Sequence, residues 1–465
     1  MVARPMVGVG VSLVFVVFAG LAALLFLGGA YNAYVIVIAA SLGAYMALNI
    51  GANDVANNMG PAVGANALSM GGAIAIAIVF ESAGALIAGG DVVSTIAKGI
   101  IEPERMGTAA VFVWAMMSAL LSAALWVNLA TWIGAPVSTT HSVVGGVMGA
   151  GIAAAGFSAV SWGTMSGIAA SWVISPVLGG AIAAFFLFVI KSRIIYQDDK
   201  IAAARRWVPI LVGIMAGAFG AYLALKGLNK LVKIEMPVAL VMGLGIAVVV
   251  WLIMIPVIKR QSVGLENRNK SLKVLFGIPL IVSAALLSFA HGANDVANAV
   301  GPLAAIVQVS QSGDFLASFD IPFWVMIIGA CGISFGLFLF GPKLIRMVGS
   351  QITKLNPMRA YCVALSAAIT VIVASWLGLP VSSTHIAVGA VFGVGFFREW
   401  DAERRIRKAR LAMPDRPRYA PEERRRRKLV RRSHFMTIIA AWVITVPAAA
   451  VLSGTIFFVI TAFTA

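Results

Sequence analysis

Two short polar segments recur inside otherwise apolar sequence. Residues 51–61 read GANDVANNMGP and residues 292–302 read GANDVANAVGP, nine identities in eleven. Farther along, residues 132–145 read WIGAPVSTTHSVVG and residues 376–389 read WLGLPVSSTHIAVG. The first pair supplies oxygen ligands: the carboxylates of Asp54 and Asp295, with the amides of Asn53, Asn57, Asn294 and Asn298. Hard oxygens of this kind suit a small alkali cation, which imidazole and thiolate do not. The second pair supplies donors: Ser138, Thr139 and Thr140 in one copy and Ser382, Ser383 and Thr384 in the other, each set following a helix-interrupting Pro-Val step. A helix beginning there presents free N–H groups and the positive end of its dipole, which together hold an oxyanion. Hydroxyls can instead bond back to their own helix, and Asn-rich clusters can serve helix packing alone. Two matched, Pro-initiated hydroxyl sets favour the anion, and a charge at each Asn-Asp step favours the cation.

These segments are embedded in a chain of 465 residues that is 60% hydrophobic and 11% charged. Such a composition excludes a soluble enzyme, a secreted disulfide scaffold and a nucleic-acid-binding domain, and leaves an all-α polytopic membrane protein. Apolar runs long enough to cross a bilayer lie near 7–29, 33–58, 72–90, 108–133, 136–157, 162–190, 207–226, 236–258, 273–300, 322–342, 360–378, 380–397 and 435–463. The run at 7–29 is too long for a signal-peptide core and is read as a helix. Of the net charge of +17, residues 398–433 supply +9, from fifteen Lys/Arg against six Asp/Glu. With basic loops on the cytoplasmic side, 191–206, 259–272, 343–359 and 398–433 fall inside, and 91–107 and 301–321 outside. The amino terminus is then cytoplasmic and the carboxyl terminus external; only the basic loop 226–235 falls on the wrong side. Asp54 precedes Pro136 by 82 residues and Asp295 precedes Pro380 by 85, so the two motifs belong to one duplicated unit. The predicted organisation is an extra N-terminal transmembrane helix (1–32), repeat 1 (33–190), a central linker with two transmembrane helices (191–272) and repeat 2 (273–465). The loop charges give the repeats opposite orientation, so the fold expected is two inverted five-span repeats with about 12–13 transmembrane segments.

The doubled GANDVAN segments, with PVSTTH and PVSSTH, resemble the inorganic phosphate transporter family, the sodium- or proton-coupled phosphate permeases. The resemblance covers roughly 33–190 and 273–463. It implies a site of broken helices and hairpin tips, a homodimer, inorganic phosphate as substrate and Na⁺ or H⁺ as the co-transported ion, with no cofactor. GAND in both copies resembles the sodium-coupled branch. On this reading Ser138, Thr139, Thr140, Ser382, Ser383 and Thr384 face phosphate, while Asn53, Asp54, Asn57, Asn294, Asp295 and Asn298 hold Na⁺. No Lys or Arg lies within either motif or the adjacent spans, so the charge balancing Asp54 and Asp295 is expected to arrive with the substrate. Gly51 and Gly292 are expected to let their helices open locally.

Glu81, the only glutamate inside a span, is a candidate extra cation or proton site, as are His141 and His385 at the ends of the hydroxyl runs; each also has a purely structural reading. His291, which replaces Ile50 of the first copy, is read as a helix-helix hydrogen-bonding residue, and Cys331 and Cys362 as packing residues. The run EERRRRK at 422–428 is read as a lipid-facing topological anchor, with regulation as the alternative. The function expected is Na⁺-driven import of phosphate across the cell (inner) membrane. Proton-coupled phosphate or metal-phosphate symport, a sulfate permease of the same fold and a passive channel remain open. An intramembrane hydrolase using Ser, His and Asp is disfavoured, since each set appears twice and no G-x-S-x-G or H-E-x-x-H occurs. No P-loop supports direct ATP drive.

Overall fold

The computed structural model describes residues 3–27, 33–133, 137–228, 232–313, 320–351, 356–412 and 432–464. Pro136, Asp314 and residues 413–431 of the basic loop, including the run at 422–428, lie outside the described residues. The described residues are helical, apart from turns and one isolated bridge between Ile101 and Val160. In chain order the helices are α1 Ala3–Ala23, α2 Ala33–Gly64, α3 Met70–Ala88, α4 Gly90–Ser94, α5 Ala109–Ile133, α6 Thr139–Ala155, α7 Trp162–Ile190, α8 Lys200–Lys226 and α9 Met236–Gln261. They continue as α10 Leu272–Leu275, α11 Gly277–Asp295, α12 Ala297–Ser312, α13 Phe323–Gln351, α14 Pro357–Trp376, α15 Ser383–Ala412 and α16 Arg432–Thr464.

Among the described residues eleven stretches are long and apolar enough to cross a membrane, two fewer than the apolar runs predicted. The two that fail are the runs at 136–157 and 380–397. Helix α6 has 17 residues, about 25 Å at 1.5 Å per residue, against roughly 30 Å of hydrocarbon. Helix α15 is apolar only as far as Phe397 and then turns charged at Arg398 and Glu399. Each folds back on its predecessor, α6 on α5 and α15 on α14, so the PVSTTH and PVSSTH segments sit at the turns of two helical hairpins.

The repeats interlock. Helix α2 packs along α13 while α11 packs along α3, and α6 packs on α16 while α15 packs on α7, so each contact has a twin with the repeats exchanged. Glycine makes these approaches close enough. A Cβ on Gly51 would lie 1.9 Å from the Ile333 carbonyl oxygen, and one on its mate Gly292 would lie 2.1 Å from that of Glu81. This corrects the expectation that Gly51 and Gly292 open their helices. Helix α2 runs unbroken through Gly51 to Gly64, and in the second copy the chain breaks only at Val296, after Asp295.

Among the described residues, connecting segments meet in two groups. Asp91 pairs with Lys226, and the Ile101 segment bridges the Val160 segment. On the basic face Lys191 and Tyr196 meet Asp401, and the Lys200 N–H donates to Asn267. Lys226, in the one basic loop expected outside, thus has its acidic partner in the segment 91–107.

Candidate functional site

Residues that are mates under the duplication meet one another. Ser82 and Ser334 each stand two positions before the glycine (Gly84, Gly336) that touches the opposite motif helix, and their hydroxyls lie 2.8 Å apart. His141 and His385 meet edge to face with ring centroids 4.4 Å apart, and Trp172 packs on His141 at 3.8 Å. These pairs of equivalent residues mark an axis between the two motif copies. The candidate site residues cluster around it.

Helices α2 and α11 carry the acids and the hairpin turns carry the hydroxyls. Thr139 donates to Asp54 Oδ2 at 3.0 Å, and its mate Ser383 donates to Asp295 Oδ2 at 3.4 Å. Across the axis, Asn57 donates to Thr384 at 2.8 Å and Asn298 donates to Thr140 at 3.2 Å. The remaining hydroxyl protons break the symmetry. Thr384 donates to Asp54 Oδ1 at 3.0 Å, whereas Thr140 donates to the Val381 carbonyl at 3.0 Å. Asp54 consequently has a donor on each oxygen, while Asp295 Oδ1 and Asn298 Oδ1 are buried with no hydrogen-bond partner among the described residues. Bare acceptor oxygens of this kind are expensive unless a donor or cation meets them.

The other predicted ligands are placed differently. Ser138 and Ser382 are helix N-caps, whose oxygens accept from the backbone N–H of His141 and His385. Asn294 braces its hairpin: it donates to Ser375 Oγ and the Leu379 carbonyl and accepts from the Val381 N–H, which leaves little of its amide for an ion. Asn53 makes the equivalent contact, donating to Thr131, the mate of Ser375, at 3.3 Å. Sequence reasoning overlooked both hydroxyls, although each occupies the same place before its W-x-G.

His291, expected to act between helices, lies among three acids. Its Nε2 lies 3.1 Å from Asp295 Oδ2 and 3.9 Å from Asp54 Oδ2, and its Nδ1 lies 3.3 Å from Glu81 Oε1. Glu81 also accepts from Asn58 Nδ2 at 2.9 Å, so its partners are an amide and an imidazole. Asn58, Glu81 and His291 are wholly buried, and their mates Ala299, Ile333 and Ile50 are apolar and equally buried. Aligning the two copies and marking each apolar-to-polar change would have found all three. One ligand atom each from Asp54, His291 and Asp295 lie within 4.8 Å of one another, close enough to hold a metal ion.

This arrangement gathers carboxylates, amides, hydroxyls and an imidazole in one buried cluster. The sequence model described as the phosphate transporter family matches residues 50–453. The chain belongs to that family. It is 55% identical over 396 residues to a "Putative phosphate permease" of Helicobacter pylori strain J99, covering 84% of this chain and 74% of that protein. It is 37% identical over 417 residues to a protein of the same description from Pyrococcus abyssi, covering 90% and 95% respectively. Among solved structures it resembles one described as "The sodium-dependent phosphate transporter", with a TM-score of 0.82 and 34% identity over 92% of this chain and 99% of that one. The chain is thus a multi-pass membrane transporter of this phosphate family and not an enzyme.

Proposed function

We propose that this transporter is a secondary active symporter that imports inorganic phosphate with Na⁺. The observation that carries this reading is the pairing of hydroxyl and carboxylate across the axis. Thr139 and Thr384, one from each hairpin, spend their only protons on Asp54. While those bonds persist, the hydroxyls cannot donate to an anion. A Na⁺ ion at Asp54 would replace both donors, and the freed protons could then turn toward phosphate. Neither ligand would bind well alone, which is the condition for coupled transport. The N-termini of α6 and α15 would add backbone N–H groups to the anion site. Asp295 Oδ1 and Asn298 Oδ1, bare and buried, offer a second place for a hard cation.

On this reading the interlocked repeats 33–190 and 273–465 rock about the axis, with 1–32 and 191–272 as flanking segments, the basic loops inside and a homodimer as the assembly. Proton coupling is the second reading, favoured by His291 lying among Asp54, Glu81 and Asp295, where an imidazole could carry a proton among three acids. The test is phosphate uptake into proteoliposomes with Na⁺ and H⁺ gradients imposed separately. Accumulation should require Na⁺ and persist with the proton gradient collapsed. Undiminished accumulation with Na⁺ replaced by choline would overturn the Na⁺ assignment. Unlabelled sulfate should compete poorly; full competition would change the substrate.

A further inference from the structure

A second polar site lies away from the axis, on the face where the basic loops gather. Helix α7 ends in a π-helical turn, Lys191–Ile195, and the charged extension of α15 passes beside it. Between them is a cavity of about 560 Å³, within the range of small-molecule sites. Four cationic side chains line it, Lys191, Lys200, Arg404 and Arg405, against the two carboxylates of Asp198 and Asp401.

The Asp401 charge is already answered. Lys191 Nζ donates to it at 2.7 Å and the Tyr196 hydroxyl donates to the same oxygen. Burial alone would raise the Asp401 carboxyl, but Lys191, Tyr196 and Arg405 hold it below the usual carboxylate range. The two arginines are held by aromatic faces. Arg404 lies over Trp400 at 5.3 Å and Arg405 over Tyr196 at 4.6 Å, where Arg405 also hydrogen-bonds the Tyr196 hydroxyl; among the described residues neither arginine is within ion-pair distance of a carboxylate, although the Arg405 charge acts on Asp401. A guanidinium has five N–H donors, so stacking, and in Arg405 one bond to a phenol, still leaves donors on its planar fork that can bind phosphate oxygens bidentately.

The depth of the cavity indicates where the phosphate comes from. The apolar span that begins at Trp162 ends at Ile195, and Phe397 and a half-exposed Trp400 stand at the same level. An aromatic belt beside Lys and Arg marks the headgroup layer of a bilayer. We propose that this cavity is a binding site for the phosphate group of an anionic phospholipid, gripped by Arg404 and Arg405, with the aromatic side chains against the start of the acyl chains.

The experiment is native mass spectrometry of the full-length protein titrated with phosphatidylglycerol or phosphatidylcholine. It compares the wild type with R404Q/R405Q, with the conservative R404K/R405K and with K259Q/R260Q, a control pair exposed on the same face outside the cavity. Phosphatidylglycerol should bind the wild type and the control alike, and its affinity should fall at least tenfold in R404Q/R405Q, with an intermediate loss in the lysine variant. A thermal melt identifies any variant that has lost its fold. Glycerol 1-phosphate added as competitor separates the sources: no displacement assigns the intact lipid, and displacement at millimolar concentration assigns a soluble phosphate ester to the same two arginines. Unchanged binding in folded R404Q/R405Q, or an equal loss in K259Q/R260Q, would overturn the site.

Discussion

Replacing Thr384 by Val tests the proposed coupling directly, because it keeps the shape of the side chain and deletes one hydroxyl. That hydroxyl accepts from Asn57 Nδ2 at 2.8 Å and donates to Asp54 Oδ1 at 3.0 Å. Its loss should have two effects of opposite sign. Phosphate loses a donor in a desolvated site, on the order of 1.5–3 kcal/mol, or about 10- to 150-fold in affinity. In the ion-free protein Asp54 Oδ1 is left buried without a donor, a penalty of about 1–3 kcal/mol. A Na⁺ ion on that oxygen relieves the penalty, so apparent Na⁺ affinity should rise about 5-fold or more. A hydroxyl that merely braced the hairpin would weaken both ligands together through loss of structure. The assay is equilibrium binding of labelled phosphate at saturating Na⁺, and of labelled Na⁺ without phosphate, on purified protein whose melting temperature is recorded alongside. Phosphate affinity within twofold of the wild type, or Na⁺ affinity that falls with it, would refute the proposed exchange of donors.

Changing Asp54 or Asp295 to Asn should abolish gradient-driven uptake while leaving the fold assembled, since the amide keeps the shape and removes the charge; normal accumulation in both variants would remove the cation role. His291→Ile strands Glu81 and Asp295 without their imidazole, at a cost of about 2 kcal/mol or more. The triple change N58A/E81I/H291I, which copies the apolar mates Ala299, Ile333 and Ile50, should recover most of that in a thermal melt; a triple variant no more stable than His291→Ile would show that the trio is not one unit. Gly51→Ala puts a Cβ 1.9 Å from the Ile333 carbonyl oxygen, a backbone clash that should cost about 3 kcal/mol or more. A melting temperature matching the wild type would mean that α2 and α13 can separate freely.

Hydropathy revealed the membrane class and most of the helices because both depend on local sequence. It overcounted crossings at 136–157 and 380–397 because composition does not say where a helix turns back. Helix α6 is apolar and glycine-rich like a span, and only its 17 residues and its packing on α5 and α16 identify it as half of a hairpin. The segments that carry the motifs do meet: the structure brings Asp54, Asp295, Thr139, Thr140, Ser383 and Thr384 together, joined through Asn57 and Asn298. The motifs did not name the partners of His291, because a repeated motif directs attention to what the copies share. In an interlocked pair, α11 meets α3 of the other repeat as α2 meets α13, so a buried polar residue present in one copy only can find a partner in the other repeat. For His291 that partner is Glu81, a position that is also polar in one copy only. Two unmatched polar positions, each too costly to bury alone, therefore predict a contact between the repeats from sequence. Differences between the copies locate the asymmetric part of the site, where their identities locate only the symmetric part.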